Sequence, residues 1–362
     1  MILPITCNRE DEMEKKKVGV IIPCYNHVEF VEQAINSILS QTYQDFDVYA
    51  ADDASNDGTK EKLLKYDDKL REIHLFDENQ GEQIPFLVSR VDNEYTALLN
   101  SDDFWREDKL EKQVRYLDEH PDCAACFTWC SQVDDNGKSI REKVPFQQKN
   151  RSSEEWIRYF YENGNCLVHP SILIRTGIYR KLINNRNQGF WQIPDFQMWV
   201  ELVQKEKIYV LEEELMCFRW HSSAKSTNVS APTVENDARH QNEECYMWYE
   251  TIGNMDDEYF KRAFDNMLIN PSAHEQEELM CEKFFVLSRA RMNLIRQAAV
   301  FYFYDIFKNK KVQECLLNQY GFGKKDFFQL EMGIGSAKMH LDSEEKKRIM
   351  REIGQCIIDA NR

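Results

Sequence analysis

Val18-Gly19-Val20-Ile21-Ile22-Pro23-Cys24-Tyr25-Asn26 is the stretch whose reading decides the fold. Val18 to Pro23 is a continuous apolar, β-branched run, the mark of a strand buried on both faces. It stops at Pro23. Apolar residues then recur at Val28, Val31, Ala34, Ile35, Ile38 and Leu39, which is helical spacing. Phe46 to Ala51 is the next strand, closed by the polar turn Asp52-Asp53-Ala54-Ser55-Asn56-Asp57-Gly58, and Thr59 to Tyr66 again has a helical pattern. Further strands are expected at Glu72 to Phe76 and Tyr95 to Asn100. Strand and helix alternating through short connections imply an α/β fold, a mostly parallel sheet flanked by helices. Ligands of such sheets bind at the carboxyl ends of the strands, so the segments after Ile22, Ala51 and Leu99 should face one crevice.

Those ends carry Pro23-Cys24-Tyr25-Asn26, Asp52-Asp53 and Asn100-Ser101-Asp102-Asp103. Carboxylates gathered at one sheet edge repel each other unless a cation joins them, and oxygen ligands suit magnesium or manganese. An ion with few protein ligands completes its shell with substrate phosphates, which points to a nucleoside diphosphate. Plainer readings exist. Asp53 to Gly58 opens like a calcium loop, but its twelfth position is Leu64, where that loop needs a bidentate Glu. The turn is also ordinary for a solvated acidic loop, and Asp102-Asp103 precede a helix expected over Lys109 to Leu117.

Composition narrows the class. The chain has 362 residues, 42% hydrophobic and 30% charged, with a formal net charge of -16. That balance is globular and argues against a nucleic-acid partner or a polybasic membrane anchor. The apolar start Met1-Ile2-Leu3-Pro4-Ile5 is too short for a signal peptide, and Ala298 to Tyr304 is far below the roughly 20 residues of a membrane span. No transmembrane segment is expected. Eleven cysteines without a paired framework suit a reducing cytoplasm. Cys123, Cys126 and Cys130 begin like a metal site but lack a fourth ligand nearby; the alternative is a short apolar strand with cysteines as small hydrophobes.

Four segments together, VGVIIPCYN, SILSQTYQDF, ADDASNDGT and LLNSDDFW, resemble the opening of glycosyltransferase family 2, with its GT-A, Rossmann-like fold. The resemblance covers roughly Val18 to Ser226 and is similar in particular to bacterial enzymes that build surface polysaccharides. It implies that Pro23 and Tyr25 line a nucleobase pocket, that Asp53 accepts a hydrogen bond from the base, that Asp102 contacts the ribose and that Asp103 ligates the metal bridging the diphosphate. The family form Asp-x-Asp-Asp has Asn100 at its first position here, and the family's Ala-Arg-Asn element is not evident between Asn79 and Asn93.

Ile193-Pro194-Asp195-Phe196 resembles the acidic motif of the acceptor side, and the resemblance implies that Asp195 is the general base that deprotonates an acceptor hydroxyl. Asp195 also suits the cap of a helix over Phe196 to Val203. Arg219-Trp220-His221 resembles the family's Arg-x-His element, with His221 completing the metal shell and Arg219 steadying a phosphate or a closing loop. A histidine after a strand is as readily structural. Met216 stands where processive synthases have Gln, which argues against a processive synthase. His169 is either an acceptor contact or a buried, hydrogen-bonded histidine.

The implied activity is an inverting, metal-dependent hexosyl transfer from a nucleotide-sugar, UDP-linked by family tendency, to a glycan, lipid-linked or protein acceptor. The alternatives are a catalytically degenerate nucleotide-sugar-binding scaffold, for which Asn100 speaks, and a nucleotidyltransferase, against which the glycine-free loop after the first strand speaks. The expected organisation is an extension over 1–17, a catalytic domain over 18–230 and a helical C-terminal domain over 231–362. In the last, Leu279 to Ile295 follow helical spacing, Gly321 to Gly323 and Gly333 to Gly335 break it, and a final helix is expected near Ser343 to Ile358. Its helices would serve self-association or docking on the inner face of a membrane.

Overall fold

The computed structural model describes residues 15–140, 147–221 and 233–335. The helix expected near Ser343, residues 222–232 and most of the extension lie outside the described residues.

The first half runs β1 (Val18–Cys24), α1 (Val31–Leu39), β2 (Phe46–Asp52), α2 (Thr59–Leu63), β3 (Glu72–Leu75), α3 (Gln83–Arg90) and β4 (Tyr95–Leu98). These strands pair in parallel in the order β3-β2-β1-β4. Val18, Val20 and Ile22 on β1 and Val48 and Ala50 on β2 share one core with Val31, Ala34, Ile35 and Ile38 of α1. The other sheet face demands Gly19: a Cβ there would lie 2.4 Å from Val91 Cγ1 at the end of α3. Only a residue without a side chain lets the strand and that segment approach so closely.

The second half departs from the parallel pattern. It adds β5 (Phe104–Trp105), α4 (Lys109–Glu119), β6 (Cys123–Val133), α5 (Ser153–Asn163), β7 (Leu173–Arg175), α6 (Thr176–Asn185), α7 (Pro194–Lys205) and β8 (Lys207–Arg219). β7 joins β4 antiparallel, β6 joins β7 antiparallel, β8 runs parallel to β6, and β5 closes the sheet antiparallel to β8. The sheet is therefore mixed, eight strands in the order β3-β2-β1-β4-β7-β6-β8-β5. Register shifts at Thr128/Trp129 and Trp129/Cys130 re-aim the far ends of β6 and β8, as bulges do. Cys123, Cys126 and Cys130 lie buried on β6 and serve the core as small apolar groups.

Beyond the sheet come α8 (Val234–Asn254), α9 (Asp257–Phe264), α10 (Gln276–Ser288), α11 (Asn293–Ile306), α12 (Lys310–Tyr320) and α13 (Lys324–Gly335). The chain forms two compact units that divide after Pro271. The reason is packing. Trp248 of α8 meets Tyr161 of α5 at 5.4 Å and Phe196 of α7 at 6.3 Å between ring centroids. The Tyr259 hydroxyl of α9 donates to the Ser153 carbonyl. These helices thus belong to the first unit. In the second unit an aromatic core forms around Phe303, stacked on Phe327 at 3.7 Å and tilted against Phe284 at 5.2 Å. The helical pattern from Leu279 to Phe307 is two helices interrupted at Arg289–Met292, and α13 continues through Gly333 rather than breaking there. Gly321 does end α12, in the left-handed conformation. No helix among the described residues is long and apolar enough to cross a membrane.

Candidate active site

The ends of β1, β2 and β4 meet, as the alternation required. Asn26 and Ala54, at φ 54° and 59°, are non-glycine residues in the left-handed region, one in each of the first two loops. Such backbone is costly and clusters at binding sites. The loops are stitched together. Asn26 N–H donates to Ser55 Oγ, Asn56 N–H to the Asn26 side-chain oxygen, His27 N–H to Thr59 Oγ1 and Val28 N–H to Asp57. Asp57 is therefore a loop staple. His27 Nδ1 then reaches Ser101 Oγ at 2.9 Å, tying in the third strand end.

Within this crevice, Asp102 lies between two imidazoles. His221 Nε2 is 3.2 Å and His27 Nε2 3.8 Å from the same Oδ2. These three ligand atoms lie within 4.8 Å of one another, the group among the described residues that could hold one ion. His221 Nδ1 sits 2.7 Å from Asp135 Oδ1, so a second carboxylate orients the ring, as outer carboxylates do for metal-bound histidines. Burial works to raise the Asp102 carboxyl, but the His221 hydrogen bond and both imidazoles outweigh it and hold it below the ordinary range. His221 moves the other way, raised chiefly by its hydrogen bond to Asp102. In that pair a divalent ion would take the place of a proton.

Asp103, which the resemblance assigns to the metal, is outside that group. Its Oδ1 accepts the Arg219 backbone N–H at 2.8 Å, and its Oδ2 faces the Asn100 amide at 3.5 Å. Burial, then the Asp102 charge, push its carboxyl well above the usual value. Asn100 is thus physically reasonable: an Asp there would set a third carboxylate against two crowded ones. Arg219 is buried and committed to the protein. Its Nε donates to the Asp102 carbonyl, Nη1 to the carbonyls of Asp134 and Asp135, and Nη2 to Gln33. It locks three loops around the histidine–aspartate group.

On the β2 side, both Asp53 oxygens accept backbone N–H groups, Oδ1 from Gln80 and Oδ2 from Gly81. Asp53 fixes the loop across the crevice, and its remaining lone pairs are what a nucleobase could use. Its neighbour Asp52 has Oδ2 bonded to Ser55 N–H while Oδ1 is buried with no partner among the described residues. Pro23 and Tyr25 are half-buried beside these loops.

Asp195 lies apart, in the first turn of α7, where Ile193 rather than Asp195 is the cap residue and Pro194 opens the helix. Its Oδ2 accepts from Asn165 at 3.2 Å and its Oδ1 from Phe196 N–H. Burial raises its carboxyl to about 6, where a general base works well. His169 resolves as a core residue: Nε2 meets Tyr179 Oη at 2.6 Å, and burial lowers it to about 3. His27 and Asp135 carry no motif that marks them as site residues, and the only signals were the place of His27, directly after the first strand end, and that of Asn165, at the start of the acceptor-side segment.

The family model of glycosyl transferase family 2 matches residues 19–188, spanning Pro23 to Asp103 and stopping before Asp195, Arg219 and His221. An uncharacterized glycosyltransferase of Methanocaldococcus jannaschii is 28% identical over 216 residues, 58% of this chain and 72% of that protein. The putative teichuronic acid biosynthesis glycosyltransferase TuaG of Bacillus subtilis is 28% identical over 225 residues, 59% of this chain and 83% of TuaG. The crystal structure of S. aureus TarS 1–349 shares the fold at TM-score 0.54 and 17% identity, over 82% of this chain and 91% of that one. The strand order, the three joined strand ends and these matches together show that residues 19–188 carry a glycosyltransferase family 2 domain, within a GT-A fold.

Proposed function

We propose that this protein is an inverting, metal-assisted transferase that moves a sugar from a UDP-sugar to an acceptor hydroxyl in surface-polysaccharide synthesis. The observation that carries the reading is the His27–Asp102–His221 group at the joined strand ends. Two imidazoles and one carboxylate suit manganese better than magnesium, which prefers an all-oxygen shell. A manganese ion held there would act as a Lewis acid on the departing diphosphate. Asp53, Pro23 and Tyr25 would border the base, Asp102 would meet the ribose as well as the ion, and Asp103 would support the metal corner from beneath through Arg219. TarS has been crystallised with UDP-GlcNAc and with UDP, which favours uridine as the base.

Asp195 takes the proton of the attacking hydroxyl. As the acceptor oxygen bonds to the anomeric carbon, the bond to the diphosphate breaks on the opposite face, and inversion follows from the single displacement. The acceptor is a glycan or lipid-linked glycan. The nine described cysteines are all free and buried, which suits a cytoplasmic enzyme whose acceptor is presented at the membrane's inner face.

Melting curves with UDP, with and without manganese, test this. UDP with manganese should raise Tm by the equivalent of about 2.7 kcal/mol at 100 times its Kd. Chelator or Asp102→Ala should abolish the rise. A shift that survives Asp102→Ala removes this metal site, and no shift with any nucleoside diphosphate leaves the scaffold reading as the better account.

A further inference from the structure

α8 follows the sheet in sequence and carries none of the motifs of the transfer reaction. It nonetheless sends one carboxylate, Glu243, into the segment that leads to Asp195. Glu243 is buried, and both of its oxygens are used: Oε1 accepts Trp191 N–H at 2.9 Å, and Oε2 accepts Gln192 N–H at 2.8 Å and Ile193 N–H at 3.1 Å. Ile193 is the cap residue of α7, and its own side chain caps nothing. A carboxylate from another helix thus satisfies the N–H groups that enter α7 and meets the positive end of its dipole. Gln192 is tied to α8 a second time, donating to Asn236 at 3.2 Å.

The segment is held from the opposite side as well. The Trp191 ring lies so close to Gly81 that a Cβ there would come within 2.6 Å of it. Gly81 is in turn held by Asp53. Backbone 191–193 is therefore clamped between the α8 carboxylate and the loop at the β2 end. Trp191 and Glu243 also border an open cleft with Gly189, Arg239 and Asn242.

We propose that Glu243 is a positioning residue for transfer: by holding the backbone of residues 191–193 it sets where Asp195 stands when the acceptor hydroxyl gives up its proton. The proposal rests on the reading of Asp195 as the base. Gln at 243 keeps the size but puts an NH2 donor against N–H donors, so the clamp is broken without opening a cavity.

The test is a double-mutant cycle on the full chain with Glu243→Gln, Asp195→Asn and both. The readout is UDP release from whichever of UDP-glucose, UDP-galactose and their N-acetyl forms turns over. Glu243→Gln should lower kcat roughly 10- to 100-fold, the cost of a misplacement of about 1 Å, with the donor KM and the UDP–manganese Tm shift unchanged. In the Asp195→Asn background it should cost nothing more. Should Glu243→Gln not fold, Glu243→Asp, shorter by one methylene, carries the same cycle. Wild-type kcat in the Glu243 variant, or a full additive loss in the double variant, overturns the proposal while leaving the base intact. Wild-type turnover in Asp195→Asn instead overturns the base reading, and this inference with it.

Discussion

Asp102 and Asp195 are the same side chain in opposite surroundings. Asp102 lies buried between His27 and His221 at the joined strand ends, and those partners keep it ionised against the penalty of burial. At Asp195 burial outweighs the backbone N–H groups, the Asn165 amide and the more distant His240, and raises it to about 6. The difference separates the roles: a carboxylate held as an anion suits a cation, and one poised near neutrality suits proton transfer.

Exchanging Asp195 for Asn tests this contrast with the largest expected effect. Turnover should fall 10²- to 10⁴-fold in a UDP-release assay while the UDP–manganese Tm shift is kept. The same variant should melt higher at neutral pH. A carboxyl whose folded value lies above its unfolded one favours the fold at low pH, and that benefit is lost as pH rises toward about 6. An unchanged or lower Tm would mean Asp195 is not strained by burial. On the other side, Asp135→Asn should weaken manganese binding 10- to 100-fold, read by metal titration, because His221 loses the partner that orients it. Equal affinity would show that His221 does not ligate. The smallest effect is the acid limb of kcat: the base must be ionised, so activity should hold above about pH 6 and drop about tenfold per unit below it. A limb near pH 4 would indicate an ordinary, solvated carboxylate.

How much of this was legible in sequence follows the physics of each part. β1, β2 and β4 announce themselves because a strand covered on both faces must be apolar throughout, and their ends then gather Tyr25, Asp53 and Asp102. The far half of the sheet was only partly legible: Cys123 to Cys130 reads as a short apolar strand, but its ladder with β8 joins partners distant in sequence and is interrupted by bulges. Which of Asp102 and Asp103 faces the histidines was equally hidden: it is settled by one backbone N–H, that of Arg219, 116 residues away. Arg219 reads as steadying a phosphate or a closing loop, and its bonds to loop carbonyls and Gln33 became visible only in the fold. Asp135 and Glu243 carry no motif at all. Their importance exists only once the chain is folded.

The division after Pro271 has a consequence for modularity. Composition invites a cut near residue 230, and the family match ends earlier still, at 188. A graft made at either point would transplant the nucleotide corner while stripping away α8, whose Trp248 and Glu243 brace α7. A unit moved intact by recombination or protein engineering therefore has to run past α9, to Pro271, where the first compact unit ends.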